Sequence, residues 1–300
     1  MLKHVVVNTE NELSAPSGKP EKKKKGFFSF LWRFIFILLF TAIISFSAQI
    51  TYDFTRYESF FVSGMSMYPT LNRDVSFTDS NKTTYKGNDS ELGPAYYWGD
   101  FDGNFSYATA GSAHLSGDYI CDYGLMDTKD GFLDGIKRFD IVATYYPEDY
   151  DTSGNLNSEA TYKIKRVIAL PGESFYFDAS GDLYVEEVGS TIFNLVEQPF
   201  LDYAMDVDGI ASWKEDTLLG FSSYAAEDVI ETGEGYFLCG DNRLKRLSED
   251  SRSVGAIPSY MIGGKAVCLF GKCKYTYKTK KSQPIFTSFK MPWQLEPLNE

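Results

Sequence analysis

Three segments hold residues whose types and spacing could do chemistry. In Ser63-Gly64-Met65-Ser66-Met67-Tyr68-Pro69-Thr70-Leu71, Ser66 follows a glycine-containing turn and precedes a proline. A segment stiffened in this way can present one hydroxyl and one backbone N–H, as a nucleophile requires. The plain reading of the segment is an ordinary surface turn. In Lys163-Ile164-Lys165-Arg166-Val167-Ile168-Ala169-Leu170-Pro171-Gly172-Glu173, lysines are embedded among branched apolar residues. The plain reading is an exposed or edge-strand lysine. The chemical reading is a general base, an amine whose ordinary pKa of about 10.4 burial has brought near neutrality, at a cost of about 4 kcal/mol. Lys165 suits this better than Lys163, because Ile164, Val167 and Ile168 surround it. In the third segment, Gly240-Asp241-Asn242 makes a tight polar turn after Tyr236–Cys239. Arg243, Asp250 and Arg252 could form an ionic brace there, or be surface charges worth about 0–1 kcal/mol.

The elements that must position these residues read as strands. Phe139–Tyr146, Tyr162–Leu170, Ser174–Phe177, Leu183–Val188, Tyr236–Cys239 and Lys265–Phe270 have the β-branched and aromatic content of strands. Ser180-Gly181-Asp182 marks a hairpin turn between the third and fourth. The apolar run Phe60-Phe61-Val62 leads into the glycine turn before Ser66. Two stretches rich in Gly, Asp, Ser and Asn, 78–137 and more mildly 148–160, read as loops or insertions. Past residue 52 no long helical period is found. With 24 Phe and 21 Tyr among 300 residues, a mostly β body is expected.

That body hangs on a different kind of segment. Phe34–Ile50 is uncharged and would run about 26 Å as a helix, so Phe27–Trp32 are needed to complete a span of about 30 Å. Arg33 would then snorkel toward the basic end. Lys22–Lys25 just before the span put that end in the cytoplasm. The expected organisation is a basic tail at 1–26, a transmembrane helix at 27–52 and an extracytoplasmic body at 53–300. A cleaved signal peptide is the alternative, since Ser45 and Ser47 are small residues two apart. Residues 1–33 carry seven bases and three acids. Of the 29 bases and 41 acids in the chain, that leaves 22 and 38 for the rest. The net charge of -12 and a pI near 4.8 argue against duplex nucleic acid as a partner.

The histidines narrow the chemistry. The chain has two. His4 lies before the span and His114 sits in the Gly/Ser-rich stretch, so a Ser-His-Asp triad has no well-placed base. A lysine is the better activator for Ser66, and Ser-Lys dyads are a known variant of the triad.

Taken together, Ser66-Met67-Tyr68-Pro69-Thr70-Leu71, Lys165 to Glu173, and Gly240-Asp241-Asn242-Arg243 with Ser248 and Asp250-Ser251-Arg252, in this order behind one span, resemble the sequence boxes of bacterial type I signal peptidases. The resemblance implies a signal-peptidase-like antiparallel β catalytic body. It implies a membrane-bound serine endopeptidase that removes signal peptides from exported preproteins after small residues of Ala-X-Ala type. Ser66 matches the nucleophile and Lys165 the general base. Ser248 matches a serine that hydrogen-bonds the lysine. Asp250 and Arg252 match a brace, joined by Arg166. Phe60, Val62, Met67, Leu71 and Ile164 match subsite walls. The expected partners are signal peptides and membrane lipid; the expected state is a monomer, with no metal or other cofactor. Three positions depart from the family pattern: Gly64 stands where some members have a hydroxyl residue, Ala169 replaces a glycine, and Leu244–Leu247 put four residues where two are usual. These departures sustain the competing reading of an inactive membrane-anchored binding or assembly protein of the same fold. A self-cleaving Ser-Lys repressor domain is disfavoured by the span and by the missing DNA-binding module.

Of the four cysteines, Cys268 and Cys273 flank Leu-Phe-Gly-Lys and could close a hairpin. Cys239 ends a core strand and reads as a buried thiol. Cys121 carries no assignment. Asp100, Asp102 and Asn104 echo a calcium loop, but Gly111 stands where the closing glutamate belongs.

Overall fold

The structure is a computed structural model and describes residues 25–62, 66–68, 70–72, 76–78, 84–86, 118–201, 215–218, 224–243, 248–276, 281–290 and 295–298. The readings for the basic tail, Gly64, His114, the calcium-like loop and 244–247 lie outside these residues. The chain divides into two units, Met1–Tyr52 and Asp53–Glu300.

Helix α1 (Lys25–Arg56), most of which belongs to the first unit, contains an apolar stretch, Phe28–Asp53, long and apolar enough to cross a membrane. Its aromatic and aliphatic side chains are exposed on every side, including Phe36 and Phe46. A helix that is apolar all round belongs in lipid or in a protein core.

The second unit is built from fifteen strands among the described residues: β1 (Tyr57–Phe61), β2 (Ser76–Thr78), β3 (Thr84–Lys86), β4 (Asp118–Asp127), β5 (Ile141–Thr144), β6 (Lys163–Ala169), β7 (Ser174–Phe177), β8 (Leu183–Glu186), β9 (Asn194–Val196), β10 (Ile230–Glu231), β11 (Gly235–Cys239), β12 (Ile257–Pro258), β13 (Ile262–Thr276), β14 (Lys281–Pro284) and β15 (Glu296–Pro297). The larger sheet runs β12-β11-β6-β5-β13-β4-β2-β3, with β1 also on β4 and with β14 and β15 on β13. A smaller sheet runs β10-β7-β8-β9. Its β7–β8 hairpin turns through Gly181, whose φ of 77° explains the glycine there. The body is mostly antiparallel β, as expected from the sequence.

Strand β4 lies inside the stretch read as loop. Its sequence, DYICDYGLMD, lacks a clean alternation. It becomes a strand because β1, β2 and β13 all pair with it, and tertiary pairing overrides weak local propensity. Gly124 in its middle is required by closeness: a Cβ would stand 2.7 Å from the Phe60 ring and 2.6 Å from the Cys268 carbonyl. β13 extends well beyond the expected Lys265–Phe270, and register shifts between Ile262/Gly264, Ala266/Cys268 and Leu269/Gly271 let one strand serve β5 and β4 in turn.

Strand β6 lies inside the sheet, between β5 and β11, and six of its seven residues are buried. The edge-strand reading of its lysines is therefore excluded. Burying Ile164, Val167 and Ile168 from both sides stabilises the strand by roughly 1.5–3 kcal/mol per side chain, and it is this burial that carries Lys165 out of water.

Candidate active site

The Ser66 segment is held at its two ends by one strand. Val62 N donates to Asp122 O at 3.1 Å, and Asn72 N donates to the Asp122 carboxylate at 2.6 Å. The Asn72 side chain closes the clamp. Its Oδ1 accepts from Asp122 N at 2.8 Å and its Nδ2 donates to Val62 O at 2.6 Å. Asn72 does this at a φ of 64°, a conformation asparagine tolerates better than most residues. Between these anchors the chain turns at Ser66–Tyr68, and Leu71 N donates to Met67 O at 2.9 Å. Ser66 is left half-buried while Met67, Tyr68 and Leu71 are fully buried.

Lys165 meets this turn from β6. Its Nζ donates to Ser66 Oγ at 3.0 Å and to the Ile164 carbonyl at 3.2 Å. The residue is 4% exposed. Burial brings the amine down from its ordinary 10.5 to about 8, opposed by the charge of Asp250 and helped by that of Arg252. At neutral to mildly alkaline pH the amine is thus shared between its ammonium and free-base forms, and only the latter can take a proton.

The third segment fixes the first two in register. Asn242 N donates to Ser66 O at 2.9 Å, so the turn after β11 grips the serine by its own carbonyl. Asp241 is wholly buried. It receives a two-pronged bond from Arg166, Nε to Oδ1 at 2.7 Å and Nη2 to Oδ2 at 2.6 Å, and a third from Thr70 Oγ1 at 2.6 Å. Arg166 also donates to Phe139 O at 2.7 Å and lies 4.2 Å over the Phe200 ring. Asp241 therefore ties the lysine strand to the serine loop. The sequence marked it only as a turn residue.

Asp250 forms a separate brace. Arg252 donates Nε to Oδ1 at 2.8 Å and Nη2 to Oδ2 at 2.7 Å, while Gly240 N and Ser248 Oγ bind Oδ2 at 2.8 and 2.6 Å. Asp250 also caps the short helix α2 (Ser251–Val254) through Arg252 N. Burial alone would raise this carboxyl, but the Arg252 charge and these hydrogen bonds hold it below the ordinary carboxylate range. Two expectations are corrected here. Arg166 pairs with Asp241 and not with Asp250. The Ser248 hydroxyl donates to Asp250, and no hydrogen bond joins it to Lys165. The Arg166 guanidinium and the Ser248 hydroxyl each donate to the carboxylate within their reach, in charge-assisted bonds. Arg243 likewise stays out of the Asp250 brace; it is fully buried and donates to Gly240 O at 2.8 Å and Thr217 Oγ1 at 3.3 Å.

The residues expected as subsite walls come together. Phe60, Val62, Met67, Leu71 and Ile164 belong to one buried cluster with Met126, Ile141, Ala143 and Ala266. None is more than 6% exposed. The cysteine expectation fails: Cys268 and Cys273 lie on the same strand, β13, five residues and so about 16 Å apart along it. Cys239 is buried, and burial pushes its thiol up to about 12, which suits an inert core residue.

A serine hydroxyl bonded to a buried lysine amine is the layout that a Ser-Lys dyad requires. The family model described as signal peptidase, peptidase S26, matches residues 31–270. The chain belongs to that family. Among solved structures it is similar to a signal peptidase I from Enterococcus faecalis V583, at 24% identity over 43% of this chain and 95% of that chain, with a TM-score of 0.30. No curated protein matches the chain.

Proposed function

We propose that this protein is an active, membrane-anchored serine endopeptidase that removes signal peptides from exported preproteins by a Ser66–Lys165 dyad. The observation that carries the reading is the 3.0 Å hydrogen bond between a buried lysine amine and a serine hydroxyl. Neutral Lys165 takes the Ser66 proton as Oγ attacks the scissile carbonyl. The resulting ammonium returns that proton to the leaving amine, and water then resolves the acyl-enzyme. The Ser66 N–H donates to the developing oxyanion; loss of one such donor costs about 3 kcal/mol in related chemistry. Asp241 with Arg166, and Asp250 with Arg252, are positioning pairs in this scheme. Phe60, Val62, Met67, Leu71 and Ile164 back the subsites that admit small side chains. In α1 the basic end faces the cytoplasm and the body faces the outside.

Ser66→Ala and Lys165→Met are each expected to abolish cleavage of a purified preprotein at its Ala-X-Ala junction while the far-ultraviolet circular dichroism is kept. Cleavage that survives Ser66→Ala overturns the dyad, whereas a folded parent protein that cleaves no preprotein favours the inactive binding or assembly role. Protease added to spheroplasts is expected to digest the body and spare the basic tail; the opposite pattern reverses the orientation.

A further inference from the structure

Cys273 faces a cysteine on the neighbouring strand. Cys273 on β13 lies directly opposite Cys121 on β4 in the strand register. The two sulfurs are 3.4 Å apart, and both residues are buried, Cys121 at 1% and Cys273 at 0% exposure. Directly opposed residues of antiparallel strands have Cα atoms about 4.5–5.5 Å apart, within the span of about 4.4–6.8 Å that a disulfide bridges. Cys239 and Cys268 have no such neighbour: Cys239 stands opposite Arg166 and Cys268 opposite Leu125. None of the proposed catalysis uses any of these thiols.

We propose that Cys121 and Cys273 form a cross-strand disulfide that staples β4 to β13. The bond forms by exchange with an oxidising disulfide, from a small thiol or a thiol oxidoreductase. One cysteine thiolate attacks that disulfide and releases one thiol. The second cysteine thiolate then attacks the mixed disulfide and releases the other. Two protein thiols are thereby oxidised and one external disulfide is reduced to two thiols. Both thiols are shut off from solvent in the folded chain, and the contact with Cys273, together with burial, raises the Cys121 thiol above its ordinary range, so exchange belongs to folding, before the strands close. The staple joins residues 152 positions apart. It sits next to Asp122, whose backbone and carboxylate hold both ends of the Ser66 loop. It therefore fixes the strand on which the proposed nucleophile is mounted.

The full chain is isolated from membranes with N-ethylmaleimide present throughout. In parallel it is refolded from the reduced, denatured state in a glutathione redox buffer and then alkylated. After proteolysis, mass spectrometry is expected to find the Cys121 and Cys273 peptides linked, 2 Da below their sum, with Cys239 and Cys268 alkylated. Reductant is expected to lower the thermal midpoint by roughly 5–15 °C, and to have no effect on the Cys121→Ala/Cys273→Ala variant. Alkylation of Cys121 and Cys273 in both arms, or a link to another cysteine, overturns the proposal. A link in the glutathione arm alone supports the pairing and counts instead against a body that faces an oxidising compartment. Because neither readout involves cleavage, an inactive Ser66 leaves this test intact.

Discussion

The backbone N–H of Asn242 donates to the carbonyl of Ser66 at 2.9 Å. One hydrogen bond thus joins the turn that follows β11 to the residue whose hydroxyl meets Lys165. The site is assembled as a three-way junction. Asp122 holds the ends of the serine loop, Asp241 ties that loop to β6, and Asn242 fixes the serine itself.

The amine of Lys165 sets the pH dependence of the proposed reaction. With its pKa near 8, the free base grows from a minority at pH 7 to a majority at pH 9. We expect kcat/KM for a preprotein to rise about tenfold per pH unit well below 8 and to level off above it. A profile that is flat from pH 6 to 9 removes Lys165 from the role of base.

The same shift predicts a stability effect of definite sign. Lys165 titrates lower in the folded chain than in the unfolded one, so between about pH 8 and 10.5 the unfolded state binds more protons and stability rises with pH. Below pH 8 the burial penalty is fully present. Lys165→Met should therefore be more stable than the parent at pH 7, by up to about 3 kcal/mol, and the gap should close toward pH 10.5. Thermal unfolding at pH 7 and pH 10 measures both limits, and a variant less stable than the parent at pH 7 contradicts the argument.

Gly240 is fixed by proximity. A Cβ there would stand 2.3 Å from Ser248 Oγ and 2.3 Å from the Ser66 carbonyl. Gly240→Ala is expected to cost about 1–3 kcal/mol in stability and to push Ser66 off Lys165, lowering kcat by at least tenfold. Wild-type cleavage kinetics in this variant would show that the junction yields without cost.

Asp250 and Arg252 make the most buried ion pair among the described residues, both side chains being inaccessible to solvent. Arg252→Met leaves the carboxylate buried and unpaired, at about 3–5 kcal/mol. Asp250 titrates below its unfolded value, so its contribution is present above the ordinary carboxylate pKa and is lost as pH falls through the lowered one. Acid unfolding followed from pH 6 to pH 2 should show this limb in the parent and a weakened one in Asp250→Asn.

Much of this was legible in the chain itself. Lys22–Lys25 ahead of an uncharged apolar run predicts a long apolar helix, and α1 is long and apolar enough to cross a membrane. The branched and aromatic content of β6, β7 and β11 marks strands, because those side chains fit a pleated, half-buried surface. Ser66 and Lys165 stood out as chemically able residues by type and by neighbours. What tertiary structure alone decided was partnership. A carboxylate pairs with whichever guanidinium the fold brings within about 3 Å, and sequence distance does not report that. Arg166 therefore goes to Asp241 while Ser248 goes to Asp250. For the same reason β4 is a strand despite its composition, and Cys273 faces Cys121 across the sheet although Cys268 is nearer along the chain.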